Sequence, residues 1–195
     1  IEKVWMDTYT AEVGQQTLRS YIPKQLLLVG SASYNDDGST TEGTAEGGRQ
    51  IVLYSVNDFN FELEQIQSYA HVMHHEFAHI LHQNVEYDAE FEKITPSYSS
   101  SWMQMNDETA RSKGFITAYA FSSADEDFAE MVSIMLTNSP EDWDNMIENA
   151  GNAAAVEALR KKEAIVVAYM KNNWGVNMKD FQKEVVAAIE AAVRN

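Results

Sequence analysis

The 195-residue chain contains no cysteine. Disulfide bonds, thiolate catalysis and cysteine-type zinc sites are therefore excluded, so any metal ion must be held by nitrogen and oxygen ligands. Long apolar runs are also absent, because no stretch of the sequence approaches the roughly 18 residues that are needed to cross a bilayer. We therefore expect no transmembrane segment in this chain.

Positive charge is scarce in the sequence. Fourteen Lys and Arg residues stand against thirty Asp and Glu residues, which leaves a formal net charge of −16. The acidic residues are dispersed through every segment and are not collected in a tail. Because such a surface repels the phosphates of DNA and RNA, nucleic acid is not expected as a partner.

The length of the chain is typical of one domain, and we predict a single domain over residues 1–195. Residues 1–60 are expected to supply a helix and strands that flank a cleft. The main site helices and a long loop are expected within 61–139, and a group of helices within 140–195.

The first part of the chain alternates between helical and strand patterns. Residues 4–21 predict a helix that is weakened by Gly14 and closed by Pro23. The apolar runs at 25–31 and 49–56 predict two strands. Asn, Asp and Gly cluster between these runs, which predicts a long, mobile loop joining the strands as a hairpin.

The strongest helical periodicity lies further along the chain. Apolar residues recur at helical spacing from 61 to about 83, and again within 122–140 after a serine cap. Further helices are predicted at 153–173 and 178–195. The segment 84–122 lacks sustained periodicity, apart from a short helix predicted around 104–113. A loop of this length is usually functional or disordered. The segment also carries many aromatic residues. Its aromatic content argues against disorder.

All five histidines of the chain lie in thirteen residues, HVMHHEFAHILHQ, at 71–83. On a helix that turns about 100° per residue, four of them form a stripe about 80° wide, opposite the apolar face. These four are His71, His75, His79 and His82, whereas His74 points elsewhere. Of the five, His71, His74 and His82 are expected at the surface or behind the ligands. The stripe is too long for one metal ion, because three ligands from this one helix would overstretch the roughly 2 Å bonds of zinc.

Two pairs in this stripe have the i, i+4 spacing that lets two imidazoles bind one ion, namely His71 with His75 and His75 with His79. Only the second pair has a glutamate directly after its first histidine, which gives the HExxH pattern. In this pattern His75 and His79 hold the metal ion. Glu76 does not bind the metal ion but reaches the activated water as a general base.

A catalytic zinc site has three protein ligands. The metzincin pattern requires Gly at 82 and His at 85, but the chain has His82 and Val85, so that class is excluded. With no histidine beyond His82, the third ligand should be a carboxylate. The downstream candidates are Glu86, Asp88, Glu90, Glu92, Asp107, Glu108, Asp125, Glu126, Asp127 and Glu130.

Two of these candidates lie on a narrow polar face of the helix predicted within 122–140. A ligand on a rigid element is better placed than one on a loop. Glu126 would reach the metal first, and Glu130, one turn later, would accept the free N–H of a ligating histidine. Spacing alone leaves an alternative open, because Ser123 and Glu126 also form a capping box that complements the helix dipole.

HHEFAHILHQ followed by SADEDFAEM resembles the gluzincin arrangement of the catalytic domain of anthrax lethal factor. This resemblance implies that Glu126 is the third ligand and that Tyr119, seven residues earlier, faces the metal. With GFITAYA included, the string is similar to the zinc-binding metallopeptidases of the Bacteroidetes, the substrate-import-associated zinc metallohydrolase lipoproteins. The likeness is specific over residues 71–132.

The resemblance implies an α+β, zincin-like domain in which a small β-sheet packs on the HExxH helix and the C-terminal part is mainly helical. It also implies one catalytic zinc ion, a peptide or protein substrate, and Tyr119 as the donor to the oxyanion. Residues 49–56 are then expected to form an edge strand that pairs with the substrate. A lipid anchor upstream of Ile1, a periplasmic or cell-surface location and outer-membrane glycan-import partners are further expectations.

Two alternatives stay open at this point. The chain could be a non-catalytic binding or assembly component of a glycan-import system, with a structural or vestigial zinc site. A purely structural zinc, however, has no use for Glu76 or for an open coordination position. The second alternative keeps the zinc chemistry but changes the bond, so that an amide in a modified glycan or a peptidoglycan stem is cleaved.

Overall fold

The computed structural model describes residues 1–36, 38–46 and 49–193. In these ranges the helices are α1 (Asp7–Val13), α2 (Gln15–Tyr21), α3 (Leu63–Asn84), α4 (Glu90–Ile94), α5 (Asp107–Ser112), α6 (Ala124–Thr137), α7 (Pro140–Glu148), α8 (Ala153–Trp174) and α9 (Met178–Val193). The strands are β1 (Gln25–Leu28), β2 (Ser33–Tyr34), β3 (Thr40–Thr41), β4 (Gly43–Glu46) and β5 (Gln50–Leu53). A π-helical segment (Glu2–Met6) precedes α1, and 3₁₀ helices lie at Val56–Asp58, Ser100–Gln104 and Tyr119–Phe121. This mixed architecture confirms the predicted α+β fold class.

The main sheet has the strand order β1-β5-β4, and β2 pairs with β3 in a separate two-stranded sheet. The predicted hairpin of 25–31 with 49–56 is wrong, because β1 runs parallel to β5. The predicted mobile loop instead contains β2, β3 and β4, although three of its residues, at 37, 47 and 48, lie outside the described ranges. Strands of two to four residues are too short to show a period of two, which is why the sequence did not reveal them.

The position of β5 also corrects the predicted edge strand. β5 is central in the sheet, and β4, antiparallel to it, occupies the edge within the described residues. The N–H of Tyr54 donates to the carbonyl of Glu42 at 3.0 Å. Because antiparallel pairs alternate, the N–H and C=O groups of Gly43 and Ala45 turn away from β5 toward the free edge.

The long helix α3 is the centre of the fold. It packs against α6 and α9 on its helical side and against β4 on its sheet side. Met73, Phe77 and Ile80 are almost completely buried, as expected for the apolar face that the periodicity predicts. The histidine stripe lies on the other side of the helix, where it faces α6, and His71 and His79 on this stripe remain partly exposed.

β4 approaches α3 closely at Gly43, where no side chain intervenes. A Cβ atom added to Gly43 would overlap the Cγ1 atom of Val72 on α3. We expect Gly43→Ala to lower the free energy of unfolding by about 1–3 kcal/mol, since overpacking forces the strand outward. Thermal unfolding would measure this loss.

The matched control for this prediction is the double variant Gly43→Ala/Val72→Ala, which removes the overlapping methyl group. The double variant should regain part of the stability lost in Gly43→Ala, relative to Val72→Ala alone. Additive losses in the two single variants would show that the close approach of β4 to α3 is not what requires glycine.

The N-terminal helix predicted over 4–21 is divided in two. Gly14 has φ +79° and separates α1 from α2, so the glycine that was expected to weaken the helix breaks it. The chain leaves α2 at Ile22, directly before Pro23, as predicted. The helix predicted over 178–195 corresponds to α9, which is described as far as Val193. The last two residues of the prediction lie outside the described ranges.

A buried ion pair holds α6 to α8. The Nζ of Lys162 lies 2.5 Å from an oxygen of Asp127, and both side chains are completely buried. Lys162 also donates to the carbonyl of Gly114 at 2.7 Å and lies 4.1 Å from the ring centroid of Phe115. Since Asp127 follows Glu126 directly, this pair fixes the first turn of α6.

In the described ranges, no helix is both long enough and apolar enough to pass through a membrane.

Candidate metal centre

Three side chains predicted as ligands converge at one point between α3 and α6. The Nε2 of His75 lies 2.9 Å from Oε2 of Glu126, and the Nε2 of His79 lies 3.2 Å from the same oxygen. The two Nε2 atoms are 3.1 Å apart. One nitrogen of each histidine and one carboxylate oxygen thus form a nearly equilateral triangle.

The i, i+4 spacing on α3 and the position of Glu126 at the start of α6 explain this convergence. His75 and His79 lie one turn apart on α3, so their rings project from the same face. Glu126 lies in the first turn of α6, whose N-cap Ser123 accepts a hydrogen bond from the N–H of Glu126 at 3.3 Å. The capping interaction foreseen as an alternative is therefore present, but it uses the backbone of Glu126 and leaves the carboxylate free to face the histidines.

The carboxylates around His75 stabilise positive charge at this site. Burial lowers the pKa of His75, but hydrogen bonds to Glu126 and Glu130 prevail and raise it to about 10. For Glu126, burial opposes ionisation, yet the two histidines hold its pKa down at about 2. The site therefore stabilises a cation between the imidazoles and the carboxylate.

Glu130 lies one turn after Glu126 and contacts the ring nitrogen of His75 that faces away from the triangle. Its Oε1 is 2.8 Å from Nδ1 of His75 and 2.8 Å from Nε2 of His71, and its Oε2 accepts the hydroxyl of Thr117 at 2.6 Å. Although burial opposes ionisation, the two histidines keep the pKa of Glu130 well below its usual range. A carboxylate on Nδ1 leaves Nε2 of His75 as the atom that faces the triangle.

A second group of possible ligands, His71, His75 and Glu130, lies beside the first. It shares His75, but through the other ring nitrogen. A neutral imidazole has one N–H and one free lone pair, so it can serve only one of the two groups as an ordinary ligand. Because Glu130 already accepts hydrogen bonds on both oxygens, the triangle of His75, His79 and Glu126 is the better metal site.

Glu76 lies next to this triangle, under the edge strand. Its side chain is 8 % exposed and lines the cleft, and its carboxylate accepts a hydrogen bond from the backbone N–H of Ala45 on β4. Burial raises the pKa of Glu76, although the neighbouring His75 and His79 oppose the shift. A carboxylate with a raised pKa is suited to proton transfer near neutral pH.

Tyr119 reaches the site from the opposite side. Its ring centroid lies 5.8 Å from that of His75, and its hydroxyl is hydrogen-bonded to Glu126. The side chain is 38 % exposed, and burial of the hydroxyl, together with Glu126 and Glu76, raises its pKa. Tyr119 therefore keeps its proton at neutral pH and can donate a hydrogen bond.

The remaining histidines divide into two groups. His71 contacts Glu130, and Nε2 of His82 lies 2.9 Å from Nδ1 of His79, so both support the site. His74 was expected at the surface or beside the ligands, and that expectation is wrong. It is completely buried against Tyr9 and Phe181, and burial lowers its pKa to about 3.

A cleft of about 450 Å³ lies beside the triangle, and His75 is the ligand candidate in its lining. Its floor includes His71, His75 and Glu76, and the segment from β3 to β4 forms one wall. Trp102 and Tyr119 form the opposite wall. The segment 84–122 therefore contributes Trp102 and Tyr119 to the cleft.

The family model described as "Putative zinc-binding metallo-peptidase" matches residues 1–179. The chain belongs to this family. A crystal structure described as that of "a putative zinc-binding metallo-peptidase from Bacteroides caccae" is similar, with a TM-score of 0.84 and 33 % sequence identity. The match covers 100 % of this chain and 75 % of that one. No significant match was found among curated proteins.

Membership of the zinc-binding metallo-peptidase family confirms the resemblance drawn from HHEFAHILHQ and EDFAEM. The donor set fits the metal in the family name, because two imidazole nitrogens and one carboxylate oxygen are ordinary zinc ligands. Bonds of about 2.1 Å in a tetrahedral site put ligand atoms about 3.4 Å apart. The triangle, with sides of 2.9–3.2 Å, needs to open by only a few tenths of an ångström.

Two residues of the candidate site, Thr117 and Trp102, were not predicted from the sequence in the roles they have. Thr117 bonds Glu130 from a segment without a regular pattern, so no sequence signal pointed to it. Trp102 was only one of several aromatic residues in a long loop. His82 lies three residues after His79 on the same helical stripe. It was expected at the surface or behind the ligands, and it lies behind His79.

Proposed function

We propose that this protein is a zinc-dependent, gluzincin-type metallopeptidase that hydrolyses peptide bonds with water. The observation that carries the proposal is the convergence of His75, His79 and Glu126 within 3.2 Å, directly beside the buried carboxylate of Glu76. These three would hold one catalytic zinc ion. A bound zinc ion supplies a Lewis acid that lowers the pKa of water toward about 7.

Glu76 is the proposed general base. Its carboxylate is held by the Ala45 N–H and faces the cleft, so it can take a proton from the attacking water without being a ligand. Its raised pKa lets it pass the same proton to the leaving amine. The edge strand therefore both orients the base and borders the reacting bond.

Tyr119 is the proposed oxyanion donor. Its hydroxyl carries a proton at neutral pH and lies beside Glu126. A substrate carbonyl placed over the triangle can accept this hydrogen bond as negative charge develops on its oxygen. Glu130 and His82 orient the two ligating histidines. Glu130 contacts Nδ1 of His75 and His82 contacts Nδ1 of His79, so that both Nε2 atoms are left to face the metal ion.

The free edge of β4 is the proposed docking strand for the substrate backbone, in place of residues 49–56. Gly43 presents N–H and C=O groups toward the cleft, and an extended peptide can add to such an edge as a further strand. Because these are backbone contacts, they favour a peptide or protein substrate whatever its side chains.

The test is incubation of the zinc-loaded protein with a fluorescence-quenched peptide library and, separately, with glycopeptides. Cleavage of peptides, with products identified by mass spectrometry, is the expected result. Cleavage confined to glycopeptides would show that the protein hydrolyses glycan-linked amides instead. If neither kind of substrate is cleaved, the proposal is wrong.

The non-catalytic alternative is not favoured, because a structural zinc needs neither the buried base nor the open cleft above it. Neither the fold nor the family supports glycan-import partners. The lipid anchor, the periplasmic or cell-surface location and the single domain over 1–195 stay predictions.

A further inference from the structure

The two walls of the cleft differ in chemistry. On the strand side the lining consists of Asn35, Ser39, Thr40, Thr41, Glu42 and Gly43, which are small or polar. On the other side lies Trp102, half-buried and the largest apolar side chain in the lining. Among the described residues that line the cleft, Trp102 therefore offers the broadest apolar surface.

The indole of Trp102 is held in a fixed place. Its ring meets Tyr119 edge to face, with ring centroids 4.9 Å apart and an interplanar angle of 74°. Ser99, which caps the 3₁₀ helix Ser100–Gln104, donates its N–H to the carbonyl of Phe121 at 2.9 Å. The segment that carries Trp102 is thus bonded to the segment that carries Tyr119.

Recognition by the edge of β4 uses backbone groups, which are the same for every residue of an extended peptide. Any choice among substrates must come from side-chain contacts. A fixed indole gives a broad apolar surface at low entropic cost, because its orientation is already set before the substrate arrives.

We propose that Trp102 is a specificity-determining residue, whose indole packs against a large apolar side chain next to the scissile bond of the peptide. This inference rests on the proposed metallopeptidase function. The preference would therefore be for substrates with an aromatic or long aliphatic residue on the Tyr119 side of the cleft.

The test uses two zinc-binding probes that differ only in their tails, acetohydroxamate and 3-phenylpropionohydroxamate. Binding of each to the zinc-loaded protein is measured by calorimetry. In the wild type, the phenyl probe should bind roughly tenfold more tightly, as expected for one aromatic contact. Trp102→Ala should abolish this preference, whereas Trp102→Phe should keep most of it.

Met103→Ala is the matched control, because Met103 is the next residue, is 49 % exposed and does not line the cleft. Its phenyl preference should equal that of the wild type. Elemental analysis measures the zinc content of each variant. Equal zinc contents would show that a weaker phenyl preference results from the missing indole and not from a missing zinc ion.

Tryptophan fluorescence gives a readout that needs no destabilising variant. The other three tryptophans, Trp5, Trp143 and Trp174, are at most 8 % exposed and lie outside the cleft. The phenyl probe should therefore shift the emission of the wild type, and the shift should vanish in Trp102→Phe.

The possible outcomes distinguish failure of the proposed role of Trp102 from failure of the proposed metallopeptidase function. If acetohydroxamate binds but the phenyl probe binds no better, or if Trp102→Ala keeps the preference, Trp102 does not determine specificity and the metal site stands. If neither probe binds the zinc-loaded wild type, the proposed function fails and this inference fails with it.

Discussion

Glu76→Gln is expected to lower the rate of peptide hydrolysis by roughly 10²- to 10⁴-fold, the range that general acid–base catalysis contributes. The amide has the same shape as the carboxylate, and its oxygen can still accept the hydrogen bond from Ala45. It cannot take a proton from water, however. The loss should therefore appear in kcat, measured on a peptide cleaved by the wild type.

The zinc content of Glu76→Gln separates a lost base from a lost metal ion. Because Glu76 is not one of the three converging side chains, the variant should hold as much zinc per chain as the wild type. Wild-type activity in this variant would show that another group is the base. Loss of zinc would show that Glu76 is a ligand.

Glu126→Ala is expected to reduce zinc affinity by more than about 100-fold, because even partners behind the ligands change metal affinity about 10- to 100-fold. The variant removes the one carboxylate oxygen that both histidines approach. Competition with a chromophoric chelator would measure the affinity. The rise in the midpoint of thermal unfolding that zinc gives the wild type should also disappear.

Asp125→Ala is the matched control, because Asp125 also lies in the first turn of α6 but faces Tyr87 instead of the histidines. If Glu126 served only the helix dipole, the two variants would behave alike. Equal zinc binding in Glu126→Ala and the wild type would return the third ligand to the other carboxylates, with Glu130 as the first to examine.

The long helices and the HExxH half of the site were predictable from the sequence, and for a physical reason. A helix of 14 or 22 residues, the lengths of α6 and α3, repeats its pattern several times, so both helices lie within a few residues of their predicted bounds. The i, i+4 spacing then fixes the geometry of His75 and His79 locally, without knowledge of the rest of the fold.

The sheet was less predictable, because strand pairing is a long-range property. β1 and β5 have clear apolar patterns, but whether they run parallel or antiparallel depends on the path of the chain between them. That path contains strands of only two to four residues. The edge position of β4, and with it the docking strand, follows from this path and not from the local sequence.

The buried pair of Asp127 and Lys162 illustrates a signal that was present but hard to interpret. Lys162 lies three residues after Leu159 and four before Val166, so it occupies a place on the buried stripe of α8. A lysine in such a place requires a buried partner. The pattern could have identified Lys162 as buried, but not Asp127 as its partner.

One zinc ion is expected to bind between His75, His79 and Glu126. Anomalous diffraction at the zinc edge from crystals of the zinc-loaded protein would locate this ion directly. We expect one strong peak within about 2.0–2.2 Å of the Nε2 atoms of His75 and His79 and of a carboxylate oxygen of Glu126. A peak between His71 and Glu130, or no peak between α3 and α6, would show that this metal site is wrong.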